Sequence, residues 1–209
     1  MEDINIDILG IILSHLSYKD IFSINILSHN IHNLFKYIEF NSRQIYVKNV
    51  DILKEYCFKN IKIQNSEVFE YLTIENISYL KLDKIHTLDL SLTKVTDASA
   101  LGNVHTLNLS RTDVSDVCAL GNVHTLNLSW TKVTDVSILG NVHTLDLSNT
   151  NVTDVSALGK VHTLDLSGSK VIDVNALGNV HTLNLTETNI IDVSALGKVH
   201  TLDLSYTKV

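Results

Sequence analysis

Seven histidines recur at a step of 19 residues: His86, His105, His124, His143, His162, His181 and His200. Six aspartates keep the same step: Asp97, Asp116, Asp135, Asp154, Asp173 and Asp192. Imidazoles and carboxylates are the side chains that ligate metals and move protons. A column of histidines spaced by about 4.8 Å invites the idea of a metal ladder. Metal sites need convergent ligands with supporting hydrogen-bond partners, however, and a uniform column offers only neighbours in a row. The expected role is a hydrogen-bonding ladder at the start of a strand. Calcium would want several oxygens converging on one point. An Asp placed before Val-Ser-Ala instead caps a short helical turn by accepting a backbone N–H. Every Ser, His and Asp of the series occurs in several equivalent copies, whereas an active site needs one distinct arrangement. There is no Gly-rich phosphate loop and no CxxC pair. The expectation is a protein with no catalytic residue, no metal and no cofactor.

The elements that hold these columns follow from the repeat. The consensus is HTL(N/D)LSxTxVxDVSALGNV, with six complete copies and a seventh that stops at Val209. Self-similarity at a fixed step marks a stacked architecture and is read before anything else. Within one unit, Leu107 and Leu109 alternate with Thr106, Asn108 and Ser110. This is the period-two pattern of a short strand with one buried face. Val114, Val117, Leu120 and Val123 follow at steps of three, which suits a tight return path of turns or 3₁₀ helix. Such a unit cannot bury its apolar face alone. Stacking copies gives a continuous core with a parallel sheet on one side.

The pattern resembles the leucine-rich repeat, LxxLxLxxNxL. Val104, Leu107 and Leu109 fill the first three Leu positions, Thr112 stands at the Asn position and Val114 at the last. The trailing DVSAL is similar to the return segment of internalin-type repeats, which are three residues longer. The resemblance covers residues 86–209. It implies an α+β repeat protein, a leucine-rich-repeat solenoid with its parallel sheet on the concave face. The departure is Thr93, Thr112, Thr131, Thr150, Thr188 and Thr207, with Ser169, in the Asn column. In the family that Asn bonds the turn backbone of neighbouring coils. Thr has one donor and a shorter reach, so a weaker ladder is expected.

Residues 1–40 differ. Ile8, Ile12 and Leu16 fall at i, i+4 and i+8, with Leu9 and Leu13 beside them, giving a helix with a wide apolar face. Ser17 followed by Asp20 starts a second helix carrying Ile21, Ile24 and Leu27. A third short helix carries Ile31, Leu34 and Phe35. One reading is a helical cap over the open end of the solenoid. The other is that residues 4–34 resemble an F-box, LPxxILxxILSYLxxxDLLxLxxVSKxWxxL. Ile8, Ile12, Leu13, Ser14, Leu16, Asp20, Ile21, Leu27 and Ser28 match. Asn5 stands where the family has Pro, and Ile31 where it has Trp. The resemblance implies docking on a Skp-type adaptor of a cullin ubiquitin ligase through Ile4, Ile8, Ile12, Leu16, Leu27 and Ile31. Residues 41–85 read as irregular, degenerate repeats, with strands at 45–47, 61–63, 72–74 and 80–82. VDILKEY and SEVFEYL read as helical returns between some of them. The Ile/Asn/Lys/Tyr-heavy first half with near-identical repeats is similar to proteins encoded by large DNA viruses of protists, which implies the host cytoplasm.

Composition narrows the function classes. The 209 residues carry a formal net charge of −7, which speaks against a phosphate-backbone binder. The opening MEDINIDILGIILSHL has an acidic start, lacks a small-residue cleavage site, and its apolar run is too short to span a bilayer. Cys57 and Cys118 are no disulfide framework, and Cys118 sits where other copies have Ser. These features lead to the expectation of a soluble cytoplasmic protein that binds neither nucleic acid nor membrane.

One column differs in all seven copies: Leu92, Arg111, Trp130, Asn149, Gly168, Glu187 and Tyr206. Its near neighbour reads Lys94, Asp113, Lys132, Asn151, Lys170, Asn189 and Lys208. Exposed columns such as His105 and Ser110 barely vary, so variation here reads either as drift or as recognition. Trp, Tyr and Arg are the residues that anchor interfaces. Leu92, Arg111, Trp130, Asn149, Glu187 and Tyr206 are therefore the expected contacts to a protein target, placed just past the strand. The array stops halfway through a unit, with a strand around 202–204 that would present an open edge, so self-association through that end is a further expectation.

Overall fold

The computed structural model describes residues 85–209 in full, together with the backbone of three earlier strands, 38–41, 44–47 and 60–63. The helical domain expected over residues 1–40 lies outside the described residues as far as residue 37, and with it Ile4, Ile8, Ile12, Leu16, Leu27 and Ile31, while residues 38–40 belong to a strand. The strands expected at 72–74 and 80–82 and the two expected helical returns also lie outside the described residues.

The described residues form one sheet whose strands follow chain order. They are β1 (Ile38–Asn41), β2 (Gln44–Val47), β3 (Asn60–Ile63), β4 (Thr87–Asp89), β5 (Thr106–Asn108), β6 (Thr125–Asn127), β7 (Thr144–Asp146), β8 (Thr163–Asp165), β9 (Thr182–Asn184) and β10 (Thr201–Asp203). β1 and β2 are antiparallel, and every later pairing is parallel. β2 and β3 contain the strands expected at 45–47 and 61–63. β1 was not expected. Its alternation of Ile38 and Phe40 with Glu39 and Asn41 is a strand pattern next to a stretch that otherwise reads as helical.

From β4 onward each residue pairs with the residue 19 positions later, Leu88 with Leu107 and Leu107 with Leu126. The period of the sequence is the translation of the sheet. The strands are only three residues long, but the ladder runs past them. The amides of His124 and Thr125 both donate to the His105 carbonyl at 3.0 Å, and Leu109 N–H donates to Asn127 O at 2.8 Å.

The return path closes as tight 3₁₀ turns at Leu120–Asn122, Ser137–Asn141, Ser156–Leu158, Asn175–Leu177 and Ser194–Leu196. Four of them begin at the residue whose amide donates to the Asp carboxylate two residues back, as Ser137 N–H does to Asp135 Oδ1 at 2.9 Å. At the first, Asp116 accepts from Cys118 N–H, two residues before Leu120. The Asp column is thus the turn cap that its position implied. Val104, Leu107, Leu109, Val114, Val117 and Leu120 of one coil are all buried, and they stack on their counterparts in the next. Burying one such Leu or Val is worth about 1.5–3 kcal/mol, so the stack supplies the cohesion that three-residue strands cannot.

The Thr column works differently from the expected between-coil ladder. Thr112 Oγ1 donates to Leu109 O at 2.6 Å within its own coil, and Thr93, Thr131, Thr150, Thr188 and Thr207 do the same. The hydroxyl is too short to reach the neighbouring turn, so it closes its own.

The glycines set how closely the coils approach. A Cβ on Gly159 would meet the Ala176 carbonyl oxygen at 2.4 Å, and one on Gly178 would meet Ala195 O at 2.5 Å. At Gly197, in the last coil, nothing lies within 4 Å. Only glycine lets each return turn lie this close to the next.

A ridge of left-handed residues as candidate binding site

The variable column sits in a turn that the invariant residues build. After each strand the chain reverses over four residues, as Leu128–Ser129–Trp130–Thr131, with Thr131 N–H donating to Leu128 O at 3.3 Å. A turn of this kind needs a positive φ at its third residue, a place suited to Gly or Asn. Every third residue here has one: Leu92 62°, Arg111 56°, Trp130 59°, Asn149 57°, Gly168 65°, Glu187 60° and Tyr206 57°. For an L-residue other than Gly or Asn this conformation costs about 1–2 kcal/mol. Five of the seven coils accept that cost.

Both sides of the turn are fixed. Before it, Asn127 Oδ1 accepts Ser129 N–H at 2.9 Å, and Asn or Asp does this in every coil from Asp89 to Asp203. After it, Thr131 Oγ1 donates to Leu128 O at 2.6 Å. The turn residue itself carries the sheet ladder on: Arg111 N–H donates to Ser129 O at 2.9 Å and Trp130 N–H to Ser148 O at 3.0 Å. The result is a rigid ridge, one residue per coil, with side chains held out to solvent. Leu92 is 64% exposed, Trp130 53% and Tyr206 85%. Arg111 and Trp130 touch, the guanidinium carbon lying 5.0 Å from the ring centroid. Gly168 carries no side chain, and Asn149 leans over it, its Oδ1 2.8 Å from where a Cβ would stand.

The neighbouring column, two residues on, lines the same ridge. Lys132 Nζ lies 2.6 Å from Asp113 Oδ1, and both side chains stay largely exposed. All six expected contact residues therefore fall on one line. The sequence reading missed the left-handed backbone beneath them, although Asn149 and Gly168 are the two residue types that favour it. It also left the Lys column out of the site.

The histidines form a second line, at the opposite end of the strands. Consecutive rings from His86 to His181 stack with centroids 4.3–4.7 Å apart, and His200 meets His181 edge-on at 63°. The hydrogen bond runs sideways instead of between coils: Nδ1 of His124 lies 3.2 Å from Thr125 Oγ1, and four other coils repeat it. Partial desolvation lowers the pKa of His181, assisted by the neighbouring imidazoles His200 and His162. Stacked rings aim their nitrogens side by side, and among the described residues no three His, Cys, Asp or Glu side chains converge on a metal position.

A small open cleft on the return side is lined by Asp116, Cys118, Asp135, Ser137 and Ile138. Its carboxylates are already engaged: Asp116 is held below its ordinary pKa by Cys118 N–H, and Asp135 by Ser137 N–H. The Cys118 thiol is pushed up by its own hydrogen bond to Asp116. No described helix is long and apolar enough to cross a membrane.

No family model matches the chain, and no curated protein is similar to it at a significant level. Solved structures are similar in fold. An internalin (inlF) of Listeria monocytogenes superposes with a TM-score of 0.57 at 19% identity, over 74% of this chain and 49% of that one. Internalin C2 of the same organism gives 0.51 at 24%, over 75% and 74%. TLR13, in its complex with ssRNA13, gives 0.56 at 20%, over 78% and 31%. The chain spans about half the length of the first of these. With its parallel in-register sheet, its stacked Leu and Val columns and its 3₁₀ returns, the array is a leucine-rich-repeat solenoid.

Proposed function

We propose that the chain is a non-catalytic protein-binding module that captures a protein target on the ridge of Leu92, Arg111, Trp130, Asn149, Glu187 and Tyr206. The observation that carries this is the combination of strain and exposure. Leu, Arg, Trp, Glu and Tyr stand where the backbone favours Gly or Asn. Drift at an unconstrained turn would settle on the residues that fit it. Backbone strain persists only where the surrounding structure enforces it, and it clusters at functional sites. The turn backbone is hydrogen-bonded on both sides, so a partner has to order only the side chains and not the loop that carries them.

The finer reading joins this to the amino-terminal part. Residues 1–40, which resemble an F-box, dock a Skp-type adaptor, and the solenoid presents its captured target to a cullin ubiquitin ligase in the cytoplasm, that of the host if the chain is viral. What supports it is the spacing of Ile8, Ile12 and Leu16 and the order of an F-box-like segment before repeats. The test is co-purification of the full chain with a Skp-type adaptor. Wild type is expected to bind, and Ile12→Asp with Leu16→Asp to lose binding while circular dichroism stays unchanged. A wild-type chain that ignores the adaptor leaves the amino-terminal part as a cap, and the ridge reading is then tested on its own.

A further inference from the structure

The ridge differs in charge from the rest of the array. Its two columns hold Lys94, Arg111, Lys132, Lys170 and Lys208 against Asp113 and Glu187. The remainder of residues 86–209 holds Lys160 and Lys198 against ten aspartates. Within residues 86–209 an acidic array therefore presents one cationic line, and that line also carries the exposed Trp130 and Tyr206.

The spacing of the cations is regular. Lys94, Lys132, Lys170 and Lys208 come at every second coil, alternating with Asp113, Asn151 and Asn189. Two coils span about 9.5 Å at the usual strand separation. A polyproline-II chain advances about 9.3 Å in three residues. Carboxylates at every third position of such a segment would keep step with the lysines along the solenoid. The ridge already seats one carboxylate in this manner: Asp113 lies against Lys132 at 2.6 Å, with both groups in contact with solvent. A phosphate chain also carries regular negative charge, but it meets a poorer surface. Asp89, Asp146, Asp165 and Asp203 stand on the sheet face of the same coils, beside the ridge. They repel a polyanion charged on all sides, whereas a peptide can keep its carboxylates on one.

We infer that the ridge binds an extended acidic segment of a protein. The segment lies along the solenoid axis, its carboxylates against the Lys column and its apolar side chains on Trp130 and Tyr206. This rests on the reading of the ridge as the binding surface and adds the chemistry of its partner.

Fluorescence anisotropy with the full chain tests it, using labelled peptides of Glu-Pro-Pro repeats, the same peptide with Gln for Glu, and an oligo-dT of equal charge. The Glu peptide is expected to bind at least about tenfold more tightly than the Gln peptide, a gap of about 1.4 kcal/mol. Added salt should narrow that gap. Lys132→Gln with Lys170→Gln should weaken Glu-peptide binding about tenfold. Lys160→Gln with Lys198→Gln, at the other end of the strands, should leave it unchanged. Equal binding of the Gln peptide, tighter binding of oligo-dT, or an equal effect from the Lys160 and Lys198 pair would each overturn the inference. If the Glu peptide fails while a ridge substitution still releases a protein target, only the acidic chemistry is wrong. If ridge substitutions release nothing, the binding surface itself is misplaced.

Discussion

Arg111 and Trp130, 19 residues apart in sequence, meet on the surface with the guanidinium carbon 5.0 Å from the indole centroid. Both hold left-handed backbone, at φ of 56° and 59°. The contact brings a cation and an aromatic face together in solvent at the second and third places of the seven-residue variable line. An exposed cation–π pair of this kind is worth about 0.5–1 kcal/mol, less than the backbone cost of the two residues.

That imbalance gives the first prediction. Trp130→Gly should stabilise the fold relative to Trp130→Ala by about 1 kcal/mol, because glycine relieves the left-handed strain that alanine keeps. Gly168→Ala, at φ of 65°, should lose about 1 kcal/mol or more. Urea unfolding of the three variants measures both signs. A Trp130→Gly protein no more stable than Trp130→Ala would contradict the account of the turn.

A second prediction separates backbone conformation from neighbour approach. Gly159 and Gly197 share nearly the same φ, −62° and −60°. Only Gly159 has a carbonyl 2.4 Å from where a Cβ would stand. Gly159→Ala should therefore destabilise by about 1–3 kcal/mol through overpacking. Gly197→Ala should be neutral or slightly stabilising. Similar losses in both would show that close packing of the coils is not the reason for the glycine column.

Ser169 supplies a third. Its hydroxyl is buried without a hydrogen-bond partner, whereas the threonines of the same column donate to a carbonyl at 2.6–2.7 Å. Ser169→Thr should place the hydroxyl on Leu166 O and stabilise by about 1 kcal/mol. A lower melting temperature for the variant would contradict it.

The pH dependence follows from the cited shifts. His181 is lowered from 6.5 in the folded chain, so the unfolded chain binds the proton more readily. Its contribution is present above pH 6.5 and is lost as pH falls from there through the folded value. Asp116, Asp135, Asp154, Asp192 and Asp203 are lowered from 3.8 by hydrogen bonds from their own turns. Their contribution is present above 3.8 and is lost as pH falls below it. Both effects weaken the fold on acidification, in two stages. Melting curves between pH 7.5 and pH 3 should show both, and His181→Gln should flatten the first stage alone. A melting temperature that rises between pH 7.5 and pH 5 would contradict the assignment.

The parts of the fold legible in the sequence were those with a local period. Leu107 and Leu109 announced the strand, the steps of three from Val114 to Val123 announced the tight return, and Asp116 announced its cap. Features that depend on the next coil were not legible. Nothing near Gly159 reveals the Ala176 carbonyl 17 residues later, so the glycine column was not read at all. The histidines were expected to bond along the stack; imidazole is wide enough to stack there and to bond sideways to Thr instead. The Thr column was read against a family in which a longer amide reaches the neighbouring turn, and its hydroxyl closes its own turn. For the ridge, the residues were found by their variability, but the backbone that lifts them was not, because Leu, Trp, Arg and Glu conceal a turn that only Asn149 and Gly168 betray.

The central claim is that this strained ridge exists to bind. One comparison on one substitution tests it: the affinity of a target recovered by proximity labelling for wild type and for Trp130→Gly, with the unfolding free energy of the same two proteins. The account predicts opposite changes. Stability should rise by up to about 1 kcal/mol, the relieved strain outweighing the lost contact with Arg111, while binding should weaken by about 2 kcal/mol or more, roughly 30-fold in Kd, through loss of an aromatic anchor. A variant that gains stability and keeps its full affinity would contradict the claim, leaving the variable column as drifting surface.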